Sequence, residues 1–359
     1  MHPEQAALLR AISEEPDDDG VRLVYADWLD EYGQFARAEF IRAQVHAAAL
    51  PISDPSRDLL VRRAETLYRD HEAEWRAERP AIPGVLWGGF SRGFIDHLTL
   101  DEASLLVHAP ELFHAGPVAT FEIQRVRPDA IKQVRNCAYL ARVRRLIPPL
   151  TAAENDLAEM LRSPHFAGLE ELRLPFANVG NFIVAVVARA EHFGRLRRLD
   201  LAGNRITFVG AWEIAESKTL TGLRSLSIFR NPLGDDGVIH LAQSPHLPHL
   251  RELDLQRTQM GTPAVRALAK SAVWHGGDVL NLCYNTIDDA GAVALAECPL
   301  LATHRTLVLR SNKIGDAGAE AIAASPHLTN VQSLELGSNE IGPRGRRALF
   351  ARFGDRVHV

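Results

Sequence analysis

Residues 196–204 read Leu196-Arg197-Arg198-Leu199-Asp200-Leu201-Ala202-Gly203-Asn204, and residues 223–231 repeat the pattern Leu-x-x-Leu-x-Ile-x-x-Asn. The closing asparagines lie on a 27-residue grid, whose members are Asn204, Asn231, Asn285, Asn312 and Asn339. Thr258 stands at the grid point between them that lacks an asparagine. A fixed period of this length indicates a repeat protein in which each repeat packs against its neighbours.

Each repeat divides into a strand half and a helix half. Alternating apolar residues such as Leu199 and Leu201 predict a short strand with one face inward, and the asparagine can satisfy backbone groups where the chain turns. A column of small residues follows six positions after the grid, and it predicts close packing at the start of a helix. Four positions after the grid, another column of residues is expected to cap these helices: Asp235, Thr262, Asp289 and Asp316.

The stretch Asn312-Lys313-Ile314-Gly315-Asp316-Ala317-Gly318-Ala319 and its copies resemble leucine-rich repeats of the ribonuclease-inhibitor-like class. That resemblance implies an α/β solenoid, a horseshoe with parallel strands on its concave face and helices on its convex face. Residues 169–359 then comprise seven repeats of 27 residues with a C-terminal cap, in which residues 354–359 add a last edge strand.

Residues 81–168 keep the apolar spacing in a weaker form. Three segments show it: Ile95-x-x-Leu98-x-Leu100, Val118-x-x-Phe121-x-Ile123 and Val143-x-x-Leu146. We interpret this part as a cap at the start of the array followed by degenerate repeats, because an open stack would expose apolar surface.

Residues 1–80 carry no grid and show helical periodicity, which predicts a small all-α domain ahead of the solenoid. Three strings in it resemble the bacterial repeat-companion domain, a family named for its place before repeat proteins: Pro16-Asp17-Asp18-Asp19, Arg22 to Glu31, and Arg37 to Arg42. This resemblance identifies the module as bacterial and implies no reaction.

Composition and motifs argue against several functions. The net charge of −5, from 40 Lys and Arg against 45 Asp and Glu, disfavours nucleic-acid binding. Three well-separated cysteines show no metal-ligand spacing, and no apolar segment is long enough to span a bilayer. We therefore expect a monomeric cytoplasmic protein, not an enzyme, with no catalytic, cofactor-binding or metal-binding residues and no membrane or nucleic-acid partner.

A partner site follows from the grid if the strands align. Residues between and after the inward leucines then project from the concave face, and the middle strands carry the largest of them. Aromatic and arginine side chains commonly anchor interfaces. The predicted protein-binding residues are Phe229, Arg230, Asp254, Gln256, Arg257, Asn281, Tyr284 and Arg310. The alternative is an ordinary solvated face.

Three functions fit this architecture to different degrees. The first is a non-enzymatic scaffold that binds a protein partner on the concave face. The second is a regulator of a small GTPase, because the repeats also resemble those of Ran GTPase-activating proteins, although no residue here matches a catalytic loop. A ribonuclease-inhibitor-like binder is the third, and its resemblance extends to the fold only, since three cysteines are too few.

Overall fold

The computed structural model describes residues 2–16, 18–50, 54–77, 79–114, 116–271 and 279–359. Asp17, which belongs to one of the strings quoted above, lies outside these residues. The chain forms two compact units, Met1–Pro149 and Leu150–Val359. The class is α/β, with a helical N-terminal region followed by strands that are parallel except for two antiparallel pairs within residues 85–100.

The N-terminal unit begins with four helices: α1 (Pro3–Glu14), α2 (Asp19–Glu31), α3 (Phe35–Ala49) and α4 (Pro55–Ala77). Asp18 caps α2, because its Oδ1 accepts a hydrogen bond of 2.8 Å from the Gly20 N–H. Gly33 has a φ of 76° in the turn between α2 and α3, a conformation that glycine adopts without strain. The helical region fits the small all-α domain expected from the sequence.

Two apolar clusters hold these helices together. One contains Ile12, Leu29 and Ile41 from the first three helices. The other joins Phe40 of α3 to Leu67 and Trp75 of α4. The helices therefore bury their apolar stripes against one another, as their periodicity predicts.

The rest of the N-terminal unit contains short strands and helices. They are β1 (Val85–Trp87), β2 (Phe90–Ser91), β3 (Phe94–Ile95), β4 (His97–Leu100), α5 (Glu102–His114), β5 (Thr120–Ile123), α6 (Ile131–Arg135) and β6 (Arg145–Ile147). Strands β4, β5 and β6 are parallel, and Leu98, Phe121 and Leu146 align across them. Each of the three weakly periodic segments thus contains a strand at the position its apolar spacing predicts.

The C-terminal unit alternates helix and strand along its length. Its helices are α7 (Glu154–Leu161), α8 (Asn181–Arg189), α9 (Phe208–Ala215), α10 (Gly234–Gln243), α11 (Thr262–Ala269), α12 (Asp289–Ala296), α13 (Asp316–Ala324) and α14 (Pro343–Phe353). Its strands are β7 (Glu171–Arg173), β8 (Arg198–Asp200), β9 (Ser225–Ser227), β10 (Glu252–Asp254), β11 (Val279–Asn281), β12 (Thr306–Val308), β13 (Ser333–Glu335) and β14 (Val357–His358).

Strands β7 to β14 pair in parallel and in sequence order. Equivalent residues of successive repeats align, so Leu226 pairs with Leu253 and Leu253 with Leu280. The leucine at the centre of each strand from β7 to β13 is almost fully buried. The 27-residue period therefore sets the register, and β14 supplies the edge strand predicted at the C-terminus.

The grid asparagines bridge neighbouring repeats. Asn312 donates from Nδ2 to the Leu309 carbonyl of its own repeat and to the Leu282 carbonyl of the preceding one, each at 3.0 Å. Its Oδ1 accepts the N–H of Ile287, again in the preceding repeat, at 3.1 Å. Asn204, Asn231, Asn285 and Asn339 make the same bridge. A buried amide thus satisfies backbone groups on both sides of each junction.

Three of the four predicted cap residues act on the next helix, whereas Thr262 donates its hydroxyl to Asp288, the residue that caps α12. Asp289 lies in the first turn of α12, yet its Oδ1 accepts hydrogen bonds from Gly315 and Gly318 at the start of α13. Asp235 serves α11 and Asp316 serves α14 in the same way. The small column allows this approach, since a Cβ on Gly318 would lie only 2.7 Å from the Asp289 oxygen.

Candidate functional site

In each of the seven repeats, the third residue after the strand adopts a left-handed backbone. We call these residues the left-handed row: Phe176, Gly203, Arg230, Arg257, Tyr284, Ser311 and Ser338, with φ between 53° and 65°. Their N–H groups continue the ladder between repeats, as when Arg230 donates to the Gln256 carbonyl at 2.8 Å. The ladder and the turn therefore impose this conformation at every repeat.

Side chains are costly at such a position. A left-handed backbone crowds Cβ against the following carbonyl, and it costs a residue other than glycine about 1 kcal/mol or more. Gly203 avoids the cost, whereas Phe176, Arg230, Arg257 and Tyr284 bear large side chains there. These four side chains accordingly carry a local destabilisation that the fold itself does not require.

Phe176, Phe229 and Arg230 form an aromatic and cationic cluster. The rings of Phe176 and Phe229 meet edge to face with their centroids 6.4 Å apart, and the Arg230 guanidinium lies 6.0 Å from the Phe176 centroid. Gly203 makes room for the ring, because a Cβ there would fall 2.3 Å from a Phe176 carbon. Phe176 is 57% exposed and lies outside the residues predicted from sequence.

Arg257 and Tyr284 form the next pair along the row. The Arg257 guanidinium lies 4.4 Å from the centre of the Tyr284 ring, and Tyr284 is 47% exposed. A cation over an aromatic face at this distance is an attractive contact. The pair therefore presents an ordered surface that combines charge with a ring.

Arg310 has a different environment. Its Nη1 lies 3.7 Å from a carboxylate oxygen of Glu335 on β13, and the His358 imidazole is 3.8 Å from the other oxygen of that carboxylate. The structure thus associates Arg310 with the C-terminal strands, while Phe229, Arg230, Arg257 and Tyr284 lie nearer the centre of the strand face.

Asp254 and Asn281 hold the ends of their own strands. Each accepts a hydrogen bond from the N–H two residues later, Asp254 from Gln256 at 3.0 Å and Asn281 from Cys283 at 3.2 Å. Burial raises the pKa of Asp254 above its usual value, the Gln256 N–H opposes that shift, and the nearby Asp200 adds to it. Gln256 itself is half-buried. These polar side chains support the turn that carries the left-handed row.

The described residues do not favour a metal site or a reactive thiol near the strand face. Within the described part of the chain, no group of three or more His, Cys, Asp or Glu side chains is placed to hold a metal ion. Cys283 is buried, and that burial raises the pKa of its thiol, which opposes nucleophilic reactivity. No helix among the described residues is long and apolar enough to cross a membrane.

The repeat array matches a known family model. The family described as Leucine Rich repeat matches residues 220–242, 246–269, 279–296, 305–323 and 327–350, so the C-terminal half carries leucine-rich repeats. An internalin from Listeria monocytogenes is 20% identical over 72% of this chain and 70% of its own, with a TM-score of 0.46. A Bacteroides fragilis protein is 15% identical over 70% and 76%, with a TM-score of 0.43. No curated protein shows significant similarity.

Proposed function

We propose that this chain is a non-enzymatic protein-interaction scaffold whose partner binds the strand face of the repeat array. The left-handed row carries this proposal, because it places arginine and aromatic side chains on the surface in a strained backbone conformation. Such strain persists where the surrounding structure imposes it, and it clusters at functional sites. The leucine-rich repeats add support, since repeat arrays of this kind form extended binding surfaces.

The chemistry of the face favours a partner with carboxylates beside apolar groups. Arg230 and Arg257 are exposed, and within the described part of the chain neither makes an ion pair within 4.0 Å. Phe176 and Phe229 offer apolar area next to these cations. Arginine donates to carboxylates in a bidentate geometry while it stacks on rings, so an acidic or mixed-polarity protein surface fits this face.

Glycine substitution in the left-handed row tests the proposal without unfolding the protein. We expect Arg230→Gly with Arg257→Gly to weaken partner binding by about tenfold or more, because both anchors are lost. Stability should stay within about 1 kcal/mol of the wild type, since relief of the left-handed backbone offsets the greater freedom of the unfolded chain. Affinity purification from source-organism lysate identifies the partner, and titration of that purified partner measures its affinity.

A matched control removes the same charge elsewhere. Arg266 and Arg347 are exposed on α11 and α14, so Arg266→Ala with Arg347→Ala should bind the partner as the wild type does. Equal affinity of the glycine variant and the wild type would disprove binding at the left-handed row. Equal weakening by both double variants would point instead to a general charge effect.

The alternative function, regulation of a small GTPase, makes a separate prediction. A GTPase would be recovered by the purification, and the chain would accelerate its hydrolysis of GTP. Unchanged hydrolysis in the presence of saturating chain would leave binding as the function. We also propose that residues 1–80 form a repeat-companion module ahead of residues 81–168 and the repeats of 169–359.

A further inference from the structure

A second candidate surface lies on the helices of the repeat array. Four large apolar side chains of α8 and α9 are between 39% and 50% exposed, and we call them the helix-face patch: Phe182, Phe208, Val209 and Trp212. Phe208 and Trp212 lie one turn apart on the same face of α9. Phe182 on α8 holds the same position in its repeat as Val209 does on α9, so the patch continues across the two helices.

Phe208 occupies a position at which other repeats carry a helix cap. Asp289 holds this position in its own repeat and caps α13. Asn181 holds it in the repeat before Phe208, and its Oδ1 accepts the Gly210 N–H in the first turn of α9 at 3.0 Å. Within the described part of the chain, no side chain caps α10, the helix that follows Phe208. The chain therefore exposes a ring where the repeat favours a polar cap, and the fold gains no cap from it.

Trp212 departs from the pattern of its column in a similar way. The equivalent residues of three later helices are charged: Arg266 on α11, Glu320 on α13 and Arg347 on α14. Apolar side chains that are exposed singly are common on protein surfaces, whereas a contiguous apolar patch marks an interaction site. Three exposed aromatic side chains on two adjacent helices form such a patch.

Charges of both signs border the helix-face patch. Two ion pairs and two exposed single residues provide them: Arg162 with Glu159, Arg189 with Glu213, and Arg205 and Asp236. The Arg162 guanidinium also lies 5.8 Å from the centre of the Phe182 ring, so the border is in contact with the apolar centre. These positive and negative groups balance, and they favour neither an anionic membrane nor a strongly charged protein.

We propose that the helix-face patch binds the same patch of a second copy of this chain in a two-fold dimer. A two-fold contact brings one surface of both chains together, so a border that carries both signs can match itself, whereas a border of one sign would repel. The apolar centre fits a second copy as well, because homodimer interfaces are more apolar than transient ones. The patch shares no residue with the strand face, and the dimer carries two strand faces.

The size of the patch indicates a weak dimer. Three aromatic side chains and one valine, each about half exposed, offer roughly 300 Å² of apolar area per chain. A standard interface takes about 800 Å² from each chain, so half-buried neighbours such as Val186 and Ile239 and the charged border must supply the rest. The dimer differs from the monomer expected from the sequence, because the repeat pattern does not show which helix residues are exposed.

Sedimentation velocity of the full chain tests the proposal. We expect the sedimentation coefficient to rise from that of a monomer toward that of a dimer between about 1 and about 200 µM. Phe208→Asp with Trp212→Arg introduces residues that the same columns carry in other repeats, so this double variant should melt within a few degrees of the wild type. It should weaken the dimer at least about tenfold, because two central anchors are lost.

Two further variants make the result independent of one substitution. Phe182→Ala matches Ala290 and Ala317 in the same column and should weaken the dimer about fivefold. Phe350→Ala is the control, because Phe350 on α14 is 50% exposed, as Phe208 is, and lies outside the patch. It should dimerise as the wild type does. Circular dichroism verifies that each variant folds.

A mixing experiment tests whether the patch binds itself. The tagged double variant should recover no untagged wild-type chain, because both chains must supply the patch, whereas tagged wild type should recover it. Recovery of wild type by the double variant would show that the patch binds a different surface and would overturn the two-fold dimer.

Three other results would also overturn the proposal. The first is a wild type that remains monomeric at about 200 µM. The second is equal dimerisation of the wild type and the variants of the patch. Equal weakening by Phe350→Ala and Phe182→Ala would place the contact outside the helix-face patch.

Discussion

The junctions at Asn312 and Thr258 both connect backbone groups of neighbouring repeats, but they use different hydrogen bonds. At Asn312 the side chain bridges to the Leu282 carbonyl and the Ile287 N–H of the preceding repeat. The Thr258 hydroxyl donates to the Leu255 carbonyl of its own repeat at 2.8 Å, with a longer contact of 3.4 Å to Asn285 Oδ1 in the following repeat. It therefore does not bridge to the preceding repeat, and the backbone makes that contact. There the Gly234 N–H donates to the Thr258 carbonyl at 3.0 Å.

The loop before α10 changes to allow this second arrangement. Leu233, whose equivalents donate to a grid asparagine, instead donates its N–H to the Asn231 carbonyl at 2.9 Å, and Gly234 takes a φ of 66°. Glycine makes that conformation possible without strain. The strand register is therefore the same at Thr258, where the asparagine is missing. Gly234 allows the neighbouring loop to turn so that its N–H reaches the Thr258 carbonyl.

We expect the largest loss of stability from removing an asparagine bridge at a junction that lacks the backbone bond between Gly234 and Thr258. Asn312→Ala leaves the buried Ile287 N–H and Leu282 carbonyl without this side-chain partner, and we expect the free energy of unfolding to fall by about 3 kcal/mol. Thr258→Ala removes the single short hydroxyl bond to Leu255 and should cost about 1 kcal/mol. Urea titrations followed by circular dichroism measure both. Equal losses would show that the two junctions have the same strength.

The next effect concerns the caps, which both kinds of junction keep. Asp289→Ala removes the acceptor for Gly315 and Gly318 at the start of α13, and a loss of about 1 to 2 kcal/mol is expected in the same assay. Asp236→Ala is the control, since Asp236 is an exposed acid in the first turn of α10. Its loss should be within about 0.5 kcal/mol of zero. A similar loss in both variants would argue against capping across the junction.

The smallest expected effect depends on pH. It concerns two adjacent repeats in which Asp254 and Asn281 each accept a backbone hydrogen bond at the end of the strand. Because burial raises the pKa of Asp254 in the folded protein, the folded state favours the protonated acid. Its contribution is therefore most favourable below the unfolded pKa of about 3.9, and stability is lost as pH rises through the folded pKa. Asp254→Asn keeps the acceptor, as Asn281 shows, and should be more stable than wild type at pH 7.

Stability curves from pH 3 to pH 7 would check this sign. The advantage of Asp254→Asn should shrink as pH falls and the wild-type carboxyl takes up its proton. A gain of the same size at both ends of the range would exclude titration of Asp254 as the cause. The substitution also changes a predicted partner-binding residue, so the affinity of Asp254→Asn for the partner indicates whether the charge at this position is used in binding.

The regular parts of the fold could be predicted because they repeat. The 27-residue period fixes both the alignment of strands such as β9 and β10 and the position of the following helices, so one spacing determines many contacts. Caps such as Asp289 were predicted as a column, but not the helix on which they act. Gly318 and Gly345, six positions after the grid, are small because a carboxylate of the preceding repeat lies against them, and a single repeat viewed alone does not show that relation.

The residues of the strand face could be predicted where their place follows from their position within the repeat. Phe176 was missed because Gly203 separates it from Arg230 in the row, and only the structure shows that the ring lies over that glycine. A glycine flanked by large residues in one column was the signal available.

The bridges and caps also bear on how such a gene can change. In the repeats of Asn285 and Asn312, the asparagine satisfies the repeat before it and the cap carboxylate satisfies the helix after it, so these two repeats make the same set of bonds. Duplication of the complete 27-residue segment that carries Asn312 restores these bonds at the new junction, whereas an insertion of other length breaks them. Natural variants of this array should therefore differ in length by whole repeats, and the binding face would lengthen or shorten one strand at a time.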